Sequence, residues 1–275
     1  MPRGYRNDGQ PRQRRDGSGP LAVKVTAPQN SVVPSRFTIN QRFGFVTDMV
    51  NMVAQGQQAS VVICGPGGLG KSHTVMQALK QRGFQDITLA DEGAVKSRKS
   101  YTVVKGYSTA KGLFRLLWEN KDGVLVFDDC DSVLKDPVSL SLLKSALDSY
   151  SRRVITWRAD FKDDEIPNSF LFTGRVVFIS NMNTLQLDQA IVTRSLCVDL
   201  SMTTQQKVER MQHLIANVEF MPEYTAEHKA DAMQLITRVQ DTIKELSLRT
   251  LIQCVKIRTA GTRNWAELAE YAICG

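Results

Sequence analysis

GPGGLGKS, Gly65 to Ser72, is a glycine, four further residues and then Gly-Lys-Ser. Before it the apolar run SVVIC, Ser60 to Cys64, reads as a buried strand; after it KSHTVMQALKQ, Lys71 to Gln81, reads as a helix that Gly83 stops. A strand, a glycine-rich turn and a helix in that order form a cradle for phosphate. Glycines let the backbone aim several N–H groups inward, and the helix adds the positive end of its dipole. The loop Gly65, Pro66, Gly67, Gly68, Leu69, Gly70, Lys71, Ser72 and the following His73 is therefore the expected nucleotide contact surface. Lys71 is expected to reach the β- and γ-phosphates of ATP, and Ser72 to ligate Mg²⁺. The four specified positions would coincide by chance in a chain this long roughly once in a hundred times.

A second motif lies 57 residues beyond Lys71. VLVFDD, Val124 to Asp129, is an apolar strand that ends in two carboxylates. Sites in parallel sheets open at the carboxyl ends of strands, so the pair should face the phosphates. Asp128 is expected to hold the metal and Asp129 to orient and activate the attacking water. Asp131 reads as a cap or turn residue.

Outward from these motifs, strands and helices alternate. Strands are expected at Tyr101 to Val104, Arg175 to Ser180 and Leu196 to Leu200, with helices around Ala110 to Asn120, Ser139 to Tyr150 and Leu187 to Arg194. An entry helix carries Phe43, Phe45, Val46, Met49, Val50 and Val53 at helical spacing. Such alternation implies an α/β fold with a parallel sheet covered by helices on both faces. After Leu200 strand signals stop. Stripes at Val208, Met211, Leu214 and Ile215, then Met233, Ile236, Val239 and Ile243, a segment from Ser247, and Trp265, Leu268 and Ala272 read as a small all-α lid. The expected divisions are a basic tail at 1–36, a nucleotide-binding α/β domain at 37–200 and a helical lid domain at 201–275.

With 275 residues and 42% hydrophobic content the chain can bury a full core. Five net positive charges of the overall +7 fall in residues 1–36, whose Arg-, Gly-, Gln- and Pro-rich composition argues for disorder. Two readings stay open for that tail: an electrostatic tether for nucleic acid or an acidic partner, and a solubilising leader. No apolar run is long enough to span a membrane, which suggests a soluble cytoplasmic protein without a membrane partner. The five cysteines form no C-x-x-C pair and argue against a disulfide framework or zinc site.

With both motifs placed, the chain resembles the AAA+ ATPases over about residues 40 to 275. RVVFISNMN, Arg175 to Asn183, is similar to that family's sensor-1 strand, which implies a sensing role for Asn181. LDQAIVTRS, Leu187 to Ser195, looks like the helix whose terminal arginine completes a neighbouring subunit's site, which nominates Arg194. SLRTLIQ, from Ser247, resembles the sensor-2 helix and nominates Arg249. FDDCDSVLKD with SLLKSALDS has the texture of small stand-alone AAA+ proteins of tailed bacteriophages, and the TRS around Arg194 is similar to the SRC of clamp loaders. The resemblance implies a homo-oligomer, a ring among the forms open to it, and host cytoplasm as the location for a phage protein.

There are departures. The family usually has Asp-Glu where this chain has Asp128-Asp129, a side chain one methylene shorter. The stretch KGYSTAKGLFRLLWENKDG, Lys105 to Gly123, lacks an aromatic-hydrophobic-glycine pore loop, Tyr107 being the nearest aromatic, which counts against a protein-threading unfoldase. Segments Asp91 to Ser100 (Lys96, Arg98, Lys99) and Arg152 to Asn168 (Arg152, Arg153, Trp157, Arg158) set basic residues beside an aromatic, read either as nucleic-acid contacts or as a solvated hairpin. The leading expectation is an ATPase that remodels nucleic acid or nucleoprotein in DNA replication or recombination. A remodeller of a protein complex and an ATP-dependent scaffold with slow turnover are the alternatives.

Overall fold

The computed structural model describes residues 35–89, 98–150, 152–158 and 166–275. The tail reading for residues 1–34, most of the 91–100 segment and positions 159–165 of the second segment lie outside the described residues.

The first elements are α1 (Ile39–Ala54), β1 (Ser60–Cys64), α2 (Lys71–Gln81), β2 (Gln85–Asp86), β3 (Ser100–Lys105), α3 (Ala110–Glu119), β4 (Val124–Asp128) and α4 (Pro137–Ala146). They are followed by β5 (Val154–Thr156), β6 (Ser169–Leu171), β7 (Arg175–Ser180), α5 (Gln189–Val192) and β8 (Leu196–Asp199), then by four helices, α6 (Thr204–Ile215), α7 (Ala226–Val239), α8 (Leu248–Thr259) and α9 (Trp265–Cys274). The main sheet runs β2-β3-β4-β7-β1-β8, and all its pairings are parallel. The acidic strand β4 is thus separated from the phosphate-loop strand β1 by β7 alone.

Because successive strand residues point to opposite faces, a strand buried on both sides supplies two cores at once. Val61 and Ile63 of β1, Val124 and Val126 of β4, and Val177 and Ile179 of β7 enter the core under α1 and α2. The alternate residues Val62 and Cys64, Leu125 and Phe127, and Val176 and Phe178 enter the core with α3 and α4. The Phe127 and Phe178 rings stack there, 5.4 Å apart and 12° from parallel. A capping box starts α1: Gln41 N donates to Thr38 Oγ1 (3.3 Å) and Thr38 N to Gln41 Oε1 (2.9 Å), a pair of contacts that stabilises a helix start by about 1 kcal/mol.

The structure revises several expectations. The helix expected over Leu187 to Arg194 is one turn, Gln189–Val192, so Arg194 lies just past its end. Strand β2 has two exposed residues and no apolar signature to detect. In α9 the expected Trp265 packs inward, but its partners on that line are Ala269 and Ile273, each one residue (about 100° of helix) past the expected Leu268 and Ala272; Leu268 stays 45% exposed. The 152–168 segment contributes β5, which pairs antiparallel with β6 just beyond it. Trp157 packs on Phe114 at 5.7 Å, and Arg153 donates to Ala146 O and Gly174 O. The ring and the guanidinium are thus engaged in the core and the backbone, while Arg152 and Arg158 of this segment, like Arg98 and Lys99 of the other, stand exposed.

Candidate functional site

Strand parity builds the site. Asp128 shares the parity of Val124 and Val126 and so projects to the α2 face, where Ser72 Oγ donates to its Oδ1 at 2.6 Å. Asp129 escapes this alternation through a left-handed backbone, φ +55°, and its N–H donates to Ile179 O at 3.0 Å. Its carboxyl is thereby turned into the phosphate-loop cavity. Burial, then the charge of Asp128, raise its pKa above 3.8 against the pull of Lys71.

Lys71 is 4% exposed, and its ammonium donates to three oxygens: Gly65 O (2.6 Å), Pro66 O (2.8 Å) and Asn181 Oδ1 (2.9 Å). Burial lowers its pKa, with Asp129 the largest opposing charge. Two glycines of the loop are set by close approach. Gly68, at φ +71°, would place a Cβ 3.0 Å from Ser247 Cβ, and Gly65 would place one 2.9 Å from the Leu200 carbonyl carbon. The helical bundle is therefore in direct contact with the loop, and Leu248 N donates to Gly68 O at 2.8 Å.

A cavity of about 170 Å³ is lined by Gly67 to His73 together with Asp129, Asn181 and Arg249. It shares Gly68, Leu69, Gly70, His73 and Arg249 with a cleft of about 660 Å³ that continues between α2 and helices α6 and α8. The structure therefore gathers the loop, the acid pair, Asn181 and Arg249 at the carboxyl end of the sheet. Arg194 lies elsewhere. Its carbonyl accepts from Ser60 Oγ (3.4 Å) at the opposite end of β1, about 16 Å away along a five-residue strand. There it lines a cleft of about 970 Å³ that also receives Arg98, Arg153 and Arg175. Its Nη1 donates to Ala190 O at 3.1 Å, and its Nε is buried without a hydrogen-bond partner.

Two site residues escaped the sequence reading. Lys105 ends β3, pairs in register with Asp128 and holds that carboxylate at 3.1 Å. It stands at the carboxyl end of a strand beside the acidic one, which is the only signal that could have found it. Asp131, read as a cap or turn, begins a 3₁₀ turn and also accepts from Ser180 Oγ at 2.7 Å, tying the acidic strand's exit to the residue before Asn181.

The donor set suits Mg²⁺, which takes few protein ligands and completes its shell with water and phosphate oxygens. Ser72 Oγ and Asp128 Oδ1 already lie side by side. No group of three or more His, Cys, Asp or Glu among the described residues could hold a metal ion without such help. No helix of the described residues is long and apolar enough to cross a membrane.

No protein-family model matches the chain. An uncharacterized 36.7 kDa protein from the nrdC-mobD intergenic region of Enterobacteria phage T4 is 28% identical over 265 residues, covering 90% of this chain and 78% of that protein. Among solved structures, Drosophila ORC bound to DNA aligns with 97% of this chain and 70% of its own, at 14% identity and a TM-score of 0.46. C. elegans PCH-2 aligns with 86% of this chain and 67% of its own, at 13% identity and a TM-score of 0.45. The chain thus has a phage relative, and its own fold is a parallel sheet that carries the phosphate loop followed by a helical bundle.

Proposed function

We propose that the chain is an ATPase subunit that binds ATP with Mg²⁺ at the carboxyl end of its sheet and works in a homo-oligomer. The observation that carries this reading is the convergence of Lys71, Ser72, Asp128, Asp129, Asn181 and Arg249 on one phosphate-sized cavity, from four separate stretches of chain. In it Lys71 and the loop amides bind the triphosphate. Ser72 and Asp128 would hold the metal, which supplies charge neutralisation on the phosphates when bound. Asn181, held by Lys71, and Arg249, at the start of α8, would contact the terminal phosphate from the sheet and from the bundle. The adjoining 660 Å³ cleft has room for the nucleoside.

Asp129 is the base that orients and activates water. Asp129→Asn should retain ATP binding and slow turnover by about 10²-fold, since an amide cannot accept the proton. The wild-type acidic limb should lie above 3.8, because the carboxylate needed for catalysis is lost as pH falls through its raised pKa. That limb should vanish in Asp129→Asn. Single-turnover rates across pH measure both, and unchanged turnover would assign the base elsewhere.

As to biological role, the reading we favour is remodelling of nucleic acid or nucleoprotein in DNA replication or recombination, on the likeness of the TRS around Arg194 to the SRC of clamp loaders. Remodelling of a protein complex is the alternative. The short Asp129 favours a further possibility, an ATP-dependent scaffold with slow turnover. ATPase assays with single-stranded DNA, duplex DNA and RNA separate these roles: stimulation by a nucleic acid supports the first, and its absence with measurable turnover supports the second. Deleting residues 1–36 removes five net positive charges, so affinity for any nucleic acid held by the tail should fall and its salt dependence flatten. An unchanged salt slope leaves the tail a solubilising leader.

A further inference from the structure

Asp128 is 5% exposed and has two partners on opposite sides. Its Oδ1 accepts from the Ser72 hydroxyl at 2.6 Å, and its Oδ2 meets the Lys105 ammonium at 3.1 Å. The second contact follows from register. Lys105 and Asp128 are paired neighbours in parallel strands, and Tyr101 and Val103, which share the parity of Lys105, pack in the same core as Val124 and Val126. Both side chains therefore leave the sheet on the α2 face. Their surroundings differ sharply: the lysine side chain is 69% exposed, the aspartate 6%. A long, hydrated side chain can leave the pair for water at little cost, whereas the carboxylate cannot move.

Three negative groups meet around this point. Asp128 and Asp129 repel each other, and a triphosphate entering the loop brings further negative charge toward both. Lys105 offsets part of that repulsion from the outer side of Asp128, while Lys71 does so from the loop side. A divalent cation seated at Ser72 and Asp128 would offset the same repulsion, but it would share one carboxylate with the Lys105 ammonium and be repelled by it.

We propose that Lys105 is a built-in counter-ion for Asp128 that lets the nucleotide bind before the metal and sets the Mg²⁺ concentration at which the metal site fills. It is a positioning residue, acting through Asp128. The inference rests on the reading of this cavity as an ATP and Mg²⁺ site.

The proposal makes two affinities move in opposite directions, which a loosened strand end would not do. Binding of a fluorescent ATP analogue is measured in excess EDTA and then across a Mg²⁺ titration, for the wild type, Lys105→Met and Lys105→Arg. Lys105→Met should bind the analogue roughly threefold to tenfold more weakly in EDTA, because the acid pair is left unscreened. Its half-saturating Mg²⁺ should fall by a similar factor, because the competing cation is gone. Lys105→Arg should match the wild type in both. If the methionine variant does not fold by circular dichroism, Lys105→Gln carries the same two measurements. Shifts of the same sign, or no shift in either quantity, overturn the proposal. A wild type that fails to bind the analogue with Mg²⁺ overturns instead the ATP-site reading beneath it.

Discussion

Lys71→Ala is expected to weaken ATP binding by about 10²- to 10³-fold. The ammonium is almost fully buried and is held by three oxygens, so its position is fixed before the ligand arrives. Contacts between such a charge and two phosphates are worth about 1.5–3 kcal/mol each, and every 1.4 kcal/mol is tenfold in affinity. Burial has already lowered the lysine's pKa, so the phosphates that restore its ordinary charge preference gain from a prepaid desolvation. Alanine removes the cation and also leaves Asn181 without the donor that orients it. Titration of a fluorescent ATP analogue gives the loss, with thermal unfolding of the free protein as the control for folding. Affinity within threefold of wild type would remove Lys71 from the site.

Arg194→Ala should bind ATP nearly as well as the wild type and hydrolyse it on the order of 10³-fold more slowly. The asymmetry follows from position. Arg194 stands at the amino end of β1 and β8, a strand's length from its own phosphate loop, and cannot add to its own nucleotide's affinity. An anion brought by another copy would meet a mostly basic cleft, in which Asp122 and Asp148 are the acidic residues. The cleft carries Arg98, Arg153 and Arg175 as well, and burial together with the charge of Arg175 lowers the pKa of Arg153. A guanidinium facing a neighbour's γ-phosphate would stabilise the charge that spreads over its oxygens during transfer.

The defect would then fall on the adjacent subunit. Mixing Arg194→Ala with Lys71→Ala subunits should restore part of the activity, because a copy that binds ATP can sit beside one that still offers its arginine. Fluorescence transfer between labelled chains confirms that subunits exchange. If they exchange and activity stays at the level of the separate variants, Arg194 is not a trans residue. Activity per chain that is independent of concentration down to a demonstrated monomer would remove the oligomer as well.

The loop and the acid pair were legible in the sequence because each is local. A glycine turn between a strand and a helix, and two carboxylates ending an apolar run, are complete within about ten residues. The alternation of Val61, Val62 and Ile63, or of Val124, Leu125 and Val126, likewise announces a strand buried on both faces, and with it a parallel sheet. Short elements were less legible. The two residues of β2 bury nothing, and the single turn of α5 is too brief for periodicity to delimit. The α9 stripe was displaced because small residues on both sides of the helix leave its inward face ambiguous until α7 and α8 pack on it.

What the sequence by itself determined is an α/β fold with a glycine-rich loop between strand and helix, a helical appendage, and the chemical types of the groups around that loop. Each of those inferences needs only the period of a strand or helix, or the spacing of a turn. The tertiary structure alone decided which groups meet. Lys71 bonds Asn181 across 110 residues, Ser72 bonds Asp128 across 56, and Leu248 caps the Gly68 carbonyl from the far end of the chain. It also parted Arg194 from the other nominees, joined Lys105 to Asp128, and packed Trp157 against the core beside Phe114. Strand order and register are the physical reason. They are set by how two hydrophobic faces pack at once, a property of the whole sheet that no single stretch of residues encodes.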